Sequence, residues 1–336
     1  VTSSLAALSL PTESWLNQFH ALQRPLLVAH VTPDSDAIGS ALGLATAMRE
    51  RGIDATVGLP AATVAKKLEF LLELAPDTPR VDAWSTETSY DGVVILDTAG
   101  ARRINLEAFD IDAPALSLNI DHHITNDGFA TDNWIDGGAT STCEMVGRML
   151  THLGWTISSS VASLLYAGIH GDTAGFSLPS TTPASMKVAA DLLAAGANVG
   201  LVGEQMCRSQ ARSDFEILRK VYDNTKLTAN GQLAYSFLTH EDFVEAGAKA
   251  EDIDDQVGVP MALKGVHMAL LFTEGHKGTI RINLRGEGDV RVVELAQQFG
   301  GGGHAQAAGV KINNRDIHDV IEEVVAAAQK SIKQQT

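Results

Sequence analysis

The first two hundred residues alternate short apolar runs with amphipathic stretches, the rhythm of βαβ units around a parallel sheet. Strands are predicted over Pro25–His30, Ala55–Leu59, Gly92–Asp97 and Leu116–Ile120. Between the first two, Asp36–Arg51 sets Ile38, Leu42, Leu44 and Met48 at helical spacing, with Gly52 as the stop signal. Helices are also predicted over Ser141–Leu153, Ser159–His170 and Pro183–Ala195.

Around Ser209–Asn230 the pattern changes to a charged helical segment, Ser213–Asp223, and a Thr-Ala-Asn-Gly-Gln stretch. This divides the chain into a domain over 1–208, a linker helix and connection over 209–230, and a second domain over 231–336. The second domain reads as a strand Gln232–Leu238, helical segments up to Gly247 and over Asp252–Val257, and a hairpin of Val266–Phe272 with Thr279–Leu284. A helix Val290–Phe299, a run of glycines, a strand Ala308–Ile312 and a helix Ile317–Ile332 complete it. The expected fold is α/β: an N-terminal domain with a mainly parallel sheet flanked by helices, and a smaller C-terminal α/β domain.

Composition supports two globular domains. The 336 residues are 45% hydrophobic, too apolar for a disordered chain, and the length suits two cores. No run approaches the roughly 18 apolar residues of a membrane span, and no basic segment of a secretory signal opens the chain. The expectation is a cytoplasmic protein with no membrane partner. Cys143 and Cys207 cannot form a disulfide framework and are expected as buried thiols. The net charge is −16, with 11 basic against 23 acidic groups in residues 1–208 and 14 against 18 in the rest. Such an excess disfavours long duplex nucleic acid, whose binding depends on Lys and Arg.

Polar residues close three of the strands, and in an open parallel sheet the ligand crevice lies beyond the carboxyl ends. His30-Val31-Thr32-Pro33-Asp34-Ser35-Asp36 places an imidazole and two carboxylates at a strand-to-helix turn. They suit a cation that accepts oxygen and imidazole, such as Mn²⁺, or Asp34 or Ser35 simply caps the helix. Asp121-His122-His123 would be awkward to bury without a partner, although a solvated turn also accommodates it. Asp97 and Asp172 are each, alone, as suited to a cap or turn. Together His30, Asp34, Asp36, Asp97, His122 and Asp172 fall at one end of one sheet, where unpaired carboxylates would repel one another. Six ligands with one bridging carboxylate fit two divalent ions, which would activate water for attack at phosphorus. Arg103 either reaches that crevice or is solvated, and His170 reads as a packed histidine.

In the second domain, Gly300-Gly301-Gly302-Gly303-His304 is either a flexible turn or an anion cradle of backbone N–H groups. Arg281 and Arg285 on the hairpin favour the cradle, since a guanidinium facing it binds phosphate bidentately. Residues 260–312 hold six Lys/Arg against four acids, a local excess of positive charge.

The ordered set His30-Val-Thr-Pro-Asp34-Ser-Asp36, Leu96-Asp97-Thr98-Ala99 with Arg103, Asn119-Ile-Asp121-His122-His123 with Asn126, Gly171-Asp172-Thr173 and Gly300–Gly309 resembles the DHH/DHHA1 phosphoesterases. The match is close to the nano-RNase and pAp-phosphatase type, related to RecJ-like exonucleases and cyclic-di-AMP phosphodiesterases. The resemblance implies a DHH domain facing a DHHA1 domain across a cleft, with two Mn²⁺ in the first, for which Mg²⁺ or Co²⁺ are substitutes. His30, Asp34 and Asp97 would hold one ion, and Asp36, Asp97, His122 and Asp172 the other. Asp121 would orient a ligand histidine and His123 would face the scissile phosphate. Arg285, Gly302, Gly303 and His304 would contact the nucleotide phosphate. Where many relatives carry Ser-x-Arg-Ser, this chain reads Asn283-Leu284-Arg285-Gly286.

The implied activity is Mn²⁺-dependent hydrolysis of short oligoribonucleotides to 5′-mononucleotides and removal of the 3′-phosphate from pAp. Alternatives are a cyclic-di-AMP or pApA phosphodiesterase and a nucleotide-binding sensor without turnover. The expected partners are short single-stranded RNA and small nucleotides, and a homodimer is compatible with this reading. Acidity then limits the size of the nucleic acid rather than excluding it.

Overall fold

Strands made of uninterrupted apolar runs need cover on both faces, and the first half of the chain supplies it. The computed structural model describes residues 9–85, 88–104, 106–107, 109–112, 114–209, 211–249 and 256–335. The chain divides into two compact units between Ser209 and Gln210.

In the first unit, β1 (Pro25–Val28), β2 (Thr56–Gly58), β3 (Arg80–Val81), β4 (Gly92–Leu96), β5 (Ser117–Asp121) and β6 (Asp132–Ile135) form one sheet in the order β3-β2-β1-β4-β5-β6. Every neighbouring pair is parallel. The strand order reverses between β1 and β4, the switch point where such sheets open a crevice. The helices are α1 (Glu13–Ala21), α2 (Ser35–Arg49), α3 (Glu69–Glu73), α4 (Thr142–His152), α5 (Ser159–Asp172), α6 (Pro183–Ala194) and α7 (Val199–Cys207). Leu27, Val94 and Leu118 pack on one face with residues of α2, α4 and α5. Leu26, Val28, Val93 and Ile95 pack on the other with Leu106 and Ala130.

α2 and α5 approach closely because glycines line their contact. A Cβ at Gly39 would stand 2.5 Å from the Leu164 carbonyl oxygen, and one at Gly171 2.0 Å from Ser35 Oγ. Among the helices that start on an oxygen cap, Asp34 serves α2, Ser141 α4 and Ser158 α5, each accepting from the first turn.

The second unit holds β7 (Lys226–Thr228), β8 (Leu233–Leu238), β9 (Met268–His276), β10 (Thr279–Gly286), β11 (Gly302–His304) and β12 (Ala307–Asn313), in the order β11-β12-β10-β9-β8-β7. All pairs are antiparallel except β8 with β9. Its helices are α8 (Arg212–Asp223), α9 (His240–Ala246), α10 (Gly258–Met261), α11 (Val293–Gln298) and α12 (Ile317–Gln335). One sheet face, with Met268, Leu270, Phe272, Ile282, Leu284 and Val310, packs on α11 and α12. The other, at Ala234, Leu238, Ala269 and Leu271, packs on Ile217 and Val221 of α8 and Phe243 of α9.

Several expectations are corrected. The segment 209–230 is not a free connection: α8 buries Ile217 and Val221 in the second unit, and β7 is that unit's edge strand. The glycine run is not an open loop, because Gly302–His304 pairs with β12. Gly303 has φ +144°, and a Cβ at Gly301 would meet the Gly309 carbonyl oxygen at 2.2 Å, so glycine there permits strand pairing rather than mobility. Cys143 is buried as expected, but Cys207 is exposed at the end of α7. The helix expected over Asp252–Val257 falls, up to residue 255, outside the described residues. No single helix among them is long and apolar enough to cross a membrane.

Candidate functional site

The turn after β1 brings the first ligands together. Asp34 Oδ1 accepts from the backbone N–H groups of Asp36 at 2.9 Å and Ala37 at 3.0 Å, which is the cap of α2. Its Oδ2 lies 3.9 Å from His30 Nε2, so one carboxylate caps the helix and also faces the site. His30 Nδ1–H donates to the Val31 carbonyl at 2.6 Å. That bond accounts for the Nδ1 proton and turns Nε2 toward the site, 3.3 Å from Asp97 Oδ2.

Asp97 ends β4 with φ +52°, a left-handed conformation costing about 1–3 kcal/mol at a non-glycine residue. Its buried carboxylate accepts from Thr142 Oγ1 at 3.2 Å. Its Oδ1 lies 3.5 Å from His122 Nε2 and 3.6 Å from His123 Nδ1. His122 Nε2 is 3.3 Å from Asp172 Oδ2, at the end of α5. Asp36 is fully buried and accepts from the first N–H groups of α4, those of Thr142 at 2.7 Å and Cys143 at 2.8 Å. The positive end of α4 thus supports a buried carboxylate. Sequence reasoning missed this role of Thr142, although the Ser141-x-x-Glu144 helix start was the available signal.

Asp121, also fully buried, accepts from His123 Nδ1 at 2.8 Å and from Asn126 Nδ2 at 2.6 Å. It therefore positions His123 rather than His122. Asn126 also reaches the Asn119 Oδ1 at 2.8 Å and the Thr98 carbonyl at 3.2 Å, tying the loop after β5 to the end of β4.

Three groups have donor atoms close enough to share a cation: His30, Asp34 and Asp97; Asp97, His122 and His123; Asp36, His122 and Asp172. Shared members make them one contiguous cluster. Its electrostatics call for positive charge. Burial, then repulsion from Asp34 and Asp97, pushes Asp172 up to about 8. Burial and the charges of Asp97, Asp172 and Asp34 raise Asp36 well above the carboxylate range. Burial also favours the neutral form of Asp97, yet the hydrogen bond from His30 and the charges of the three histidines bring it below its ordinary value. The bond to Asp121 raises His123 against the effect of burial. Carboxylate oxygens and imidazole nitrogens are donors that Mn²⁺ accepts, and a divalent cation would relieve the repulsion that lifts Asp36 and Asp172.

The Arg103 side chain is exposed, and its charge is felt at His123, which it lowers. Its carbonyl accepts from Val31 N at 2.6 Å, so its segment is fastened to the turn after β1. His170 packs against Tyr166 and Phe176, and burial lowers it; it belongs to none of the three groups.

The remaining candidates lie in the second unit. Register pairs His304 with Ala307 and Ala307 with Arg285, so these residues share one row and one sheet face. Gly302 is on that face, opposite Gly309, and Gly303 points the other way. A Cβ at Gly302 would meet nothing within 4 Å, so the face is open there.

The DHH family N-terminal domain matches residues 25–169, and the DHHA1 domain matches residues 230–334. The bifunctional oligoribonuclease and PAP phosphatase NrnA of Bacillus subtilis is 30% identical over 301 residues, 88% of this chain and 91% of that protein. The chain belongs to the DHH/DHHA1 phosphoesterase family. The NrnA of Thermus thermophilus, of the same description, is 29% identical over 313 residues, covering 93% and 91% of the two chains. An exopolyphosphatase-related protein from Bacteroides fragilis shares the fold, with a TM-score of 0.83 at 24% identity over 96% of this chain and 95% of that one. DHH phosphoesterases are hydrolytic and depend on divalent metals, and the His/Asp cluster at the switch point has the donors for one.

Proposed function

We propose that this DHH phosphoesterase hydrolyses very short oligoribonucleotides to 5′-mononucleotides and removes the 3′-phosphate from pAp, with two Mn²⁺ ions as cofactors. The observation that carries this reading is the sharing of Asp97: the groups on either side of it converge on its two oxygens, as a bridging ligand requires. The relatives described as oligoribonuclease and PAP phosphatase supply the substrate class.

In this reading His30, Asp34 and Asp97 hold one ion, and Asp36, Asp97, His122 and Asp172 the other. Bound divalent cations would neutralise charge developing on the phosphoryl oxygens and make water more acidic. Asp121 holds His123 through Nδ1, which leaves Nε2–H to donate to a phosphoryl oxygen. Arg103 adds positive charge beside it. Asn126 and Asn119 hold the loop that carries both histidines, so His122 and His123 are positioned before substrate binds. Arg285, Gly302 and His304 take a phosphate of the nucleotide on the open face of the DHHA1 sheet, with Gly303 between the last two contributing only backbone.

The test is hydrolysis of a 5′-phosphorylated ribodinucleotide and of pAp with Mn²⁺, with and without chelator. Chelation is expected to abolish both activities. Asp97→Asn and His122→Ala are each expected to lower kcat/KM by more than about a hundredfold. Full Mn²⁺-dependent hydrolysis in either variant contradicts the assignment.

A further inference from the structure

Between the end of β6 and the start of α4, one guanidinium joins two carboxylates away from solvent. Arg148, whose side chain is 12% exposed, donates from Nη2 to Asp136 Oδ2 at 2.9 Å, and its Nε lies 3.7 Å from Glu144 Oε1. Asp136 holds the first end of the connection. Its Oδ1 accepts from Gly138 N at 3.1 Å, its carbonyl accepts from Ala139 N at 3.0 Å, and its N–H donates to the Asp121 carbonyl of β5 at 3.0 Å. Glu144, fully buried, holds the other end: its Oε2 accepts from the backbone N–H and the hydroxyl of Thr140, each at 2.8 Å. A capping box would take the Ser141 N–H instead, so this grip reaches one residue further out of the helix, into the connection.

Stability alone does not account for this network. Charges taken out of water repay the cost only when their pairing is complete, and here Glu144 Oε1 and Arg148 Nε and Nη1 are buried without a hydrogen bond. Well-packed apolar side chains of similar volume are often as stable or more so. What the charges supply is direction: each end of the connection 136–140 is bonded to one carboxylate, and both carboxylates face one planar guanidinium on α4. The connection leads into the helix start that serves the site. There the N–H groups of Thr142 and Cys143 bond the two oxygens of Asp36, and the Thr142 hydroxyl bonds Asp97.

We propose that Arg148 is a positioning residue for the metal centre. Through Asp136 and Glu144 it fixes where the first turn of α4 lies, and that turn holds the carboxylates of Asp36 and Asp97 in place for a cation. The proposal rests on the reading of these two residues as metal ligands. It carries a sign that separates it from a field effect. Removing a positive charge near an acidic centre would by itself tighten cation binding, whereas releasing the turn weakens it.

The test is Mn²⁺ titration of the full chain, followed by the electron paramagnetic resonance signal of the free ion, well below the melting temperature of each variant. Arg148→Met is expected to raise the Mn²⁺ Kd about tenfold or more, the effect of losing a group that supports a metal ligand. Asp136→Asn/Arg148→Met removes one charge of each sign and keeps an acceptor for Gly138. Its melting temperature is expected to lie above that of Arg148→Met, which leaves Asp136 unpaired, while its Mn²⁺ Kd is still raised about tenfold; it decides the matter if the single variant does not fold. Asp36→Asn is the control. A Kd unchanged or lowered in a folded Arg148 variant, with Asp36→Asn binding Mn²⁺ weakly, overturns the positioning role. Wild-type Mn²⁺ affinity in Asp36→Asn overturns the ligand reading first, and the proposal with it.

Discussion

Asp34 performs two tasks with two oxygens, one on the N-terminus of α2 and one toward His30. From sequence these were rival readings, because an Asp before a helix is common for capping alone and nothing in a string of residues shows where the second oxygen points. The tasks are separable by mutation. Asp34→Asn keeps an oxygen for the cap and loses charge at the site, so thermal stability is expected to change little while Mn²⁺ affinity falls at least about tenfold. Asp34→Ala loses both, with about 1 kcal/mol of stability gone as well. Calorimetric unfolding and Mn²⁺ titration of the two variants check this, and equal Mn²⁺ affinity in Asp34→Asn and wild type removes Asp34 from the ligand set. Asp121 was legible as part of a site, but its partner was not: adjacent histidines look alike in sequence, and only the turn after β5 decides that His123 is held.

Elements were most legible where burial imposes a simple pattern. β1, β4 and β5 are buried at every position; β1 and β4 were plain as apolar runs, and β5 as the alternation of Leu116, Leu118 and Ile120. β6, Asp132-Asn133-Trp134-Ile135, lies at the sheet edge and has one buried residue, too few to mark a strand. The glycines of α2 and α5 carry a packing signal that hydrophobic periodicity cannot express. A Cβ at Gly168 would stand 2.2 Å from Cys143 Sγ and 2.7 Å from Asp36 Oδ1. α5 therefore leaves room for the buried Asp36 carboxylate and for the start of α4 that supports it. Gly168→Ala is expected to destabilise the fold by about 1–3 kcal/mol through overpacking and to weaken Mn²⁺ binding. Denaturant unfolding with and without Mn²⁺ measures both, and a variant as stable and as Mn²⁺-responsive as wild type would remove Gly168 from this role. The glycines at 301–303 carry a second packing signal. Glycine is permissive in turns and is also required where a strand is crowded, as at Gly301 against Gly309.

At the scale of the whole molecule, the net charge of −16 acquires a local meaning. Asp34, Asp36, Asp97, Asp121 and Asp172 gather at the switch point of the first sheet, and the second sheet carries Arg281, Arg285 and Lys311. Composition alone could not show this, because it averages an acidic cluster with a basic sheet face. The central claim is that this combination serves strands of a few nucleotides. The most direct measurement is kcat/KM with Mn²⁺ across a series of 5′-phosphorylated oligoribonucleotides from two residues upward, with pyrophosphate as a further substrate. The account predicts efficient turnover of the short strands and a fall beyond about five nucleotides, since acidic surroundings disfavour a long polyanion. Activity that rises with length beyond that point, or rapid pyrophosphate turnover with no hydrolysis of the short strands, contradicts it.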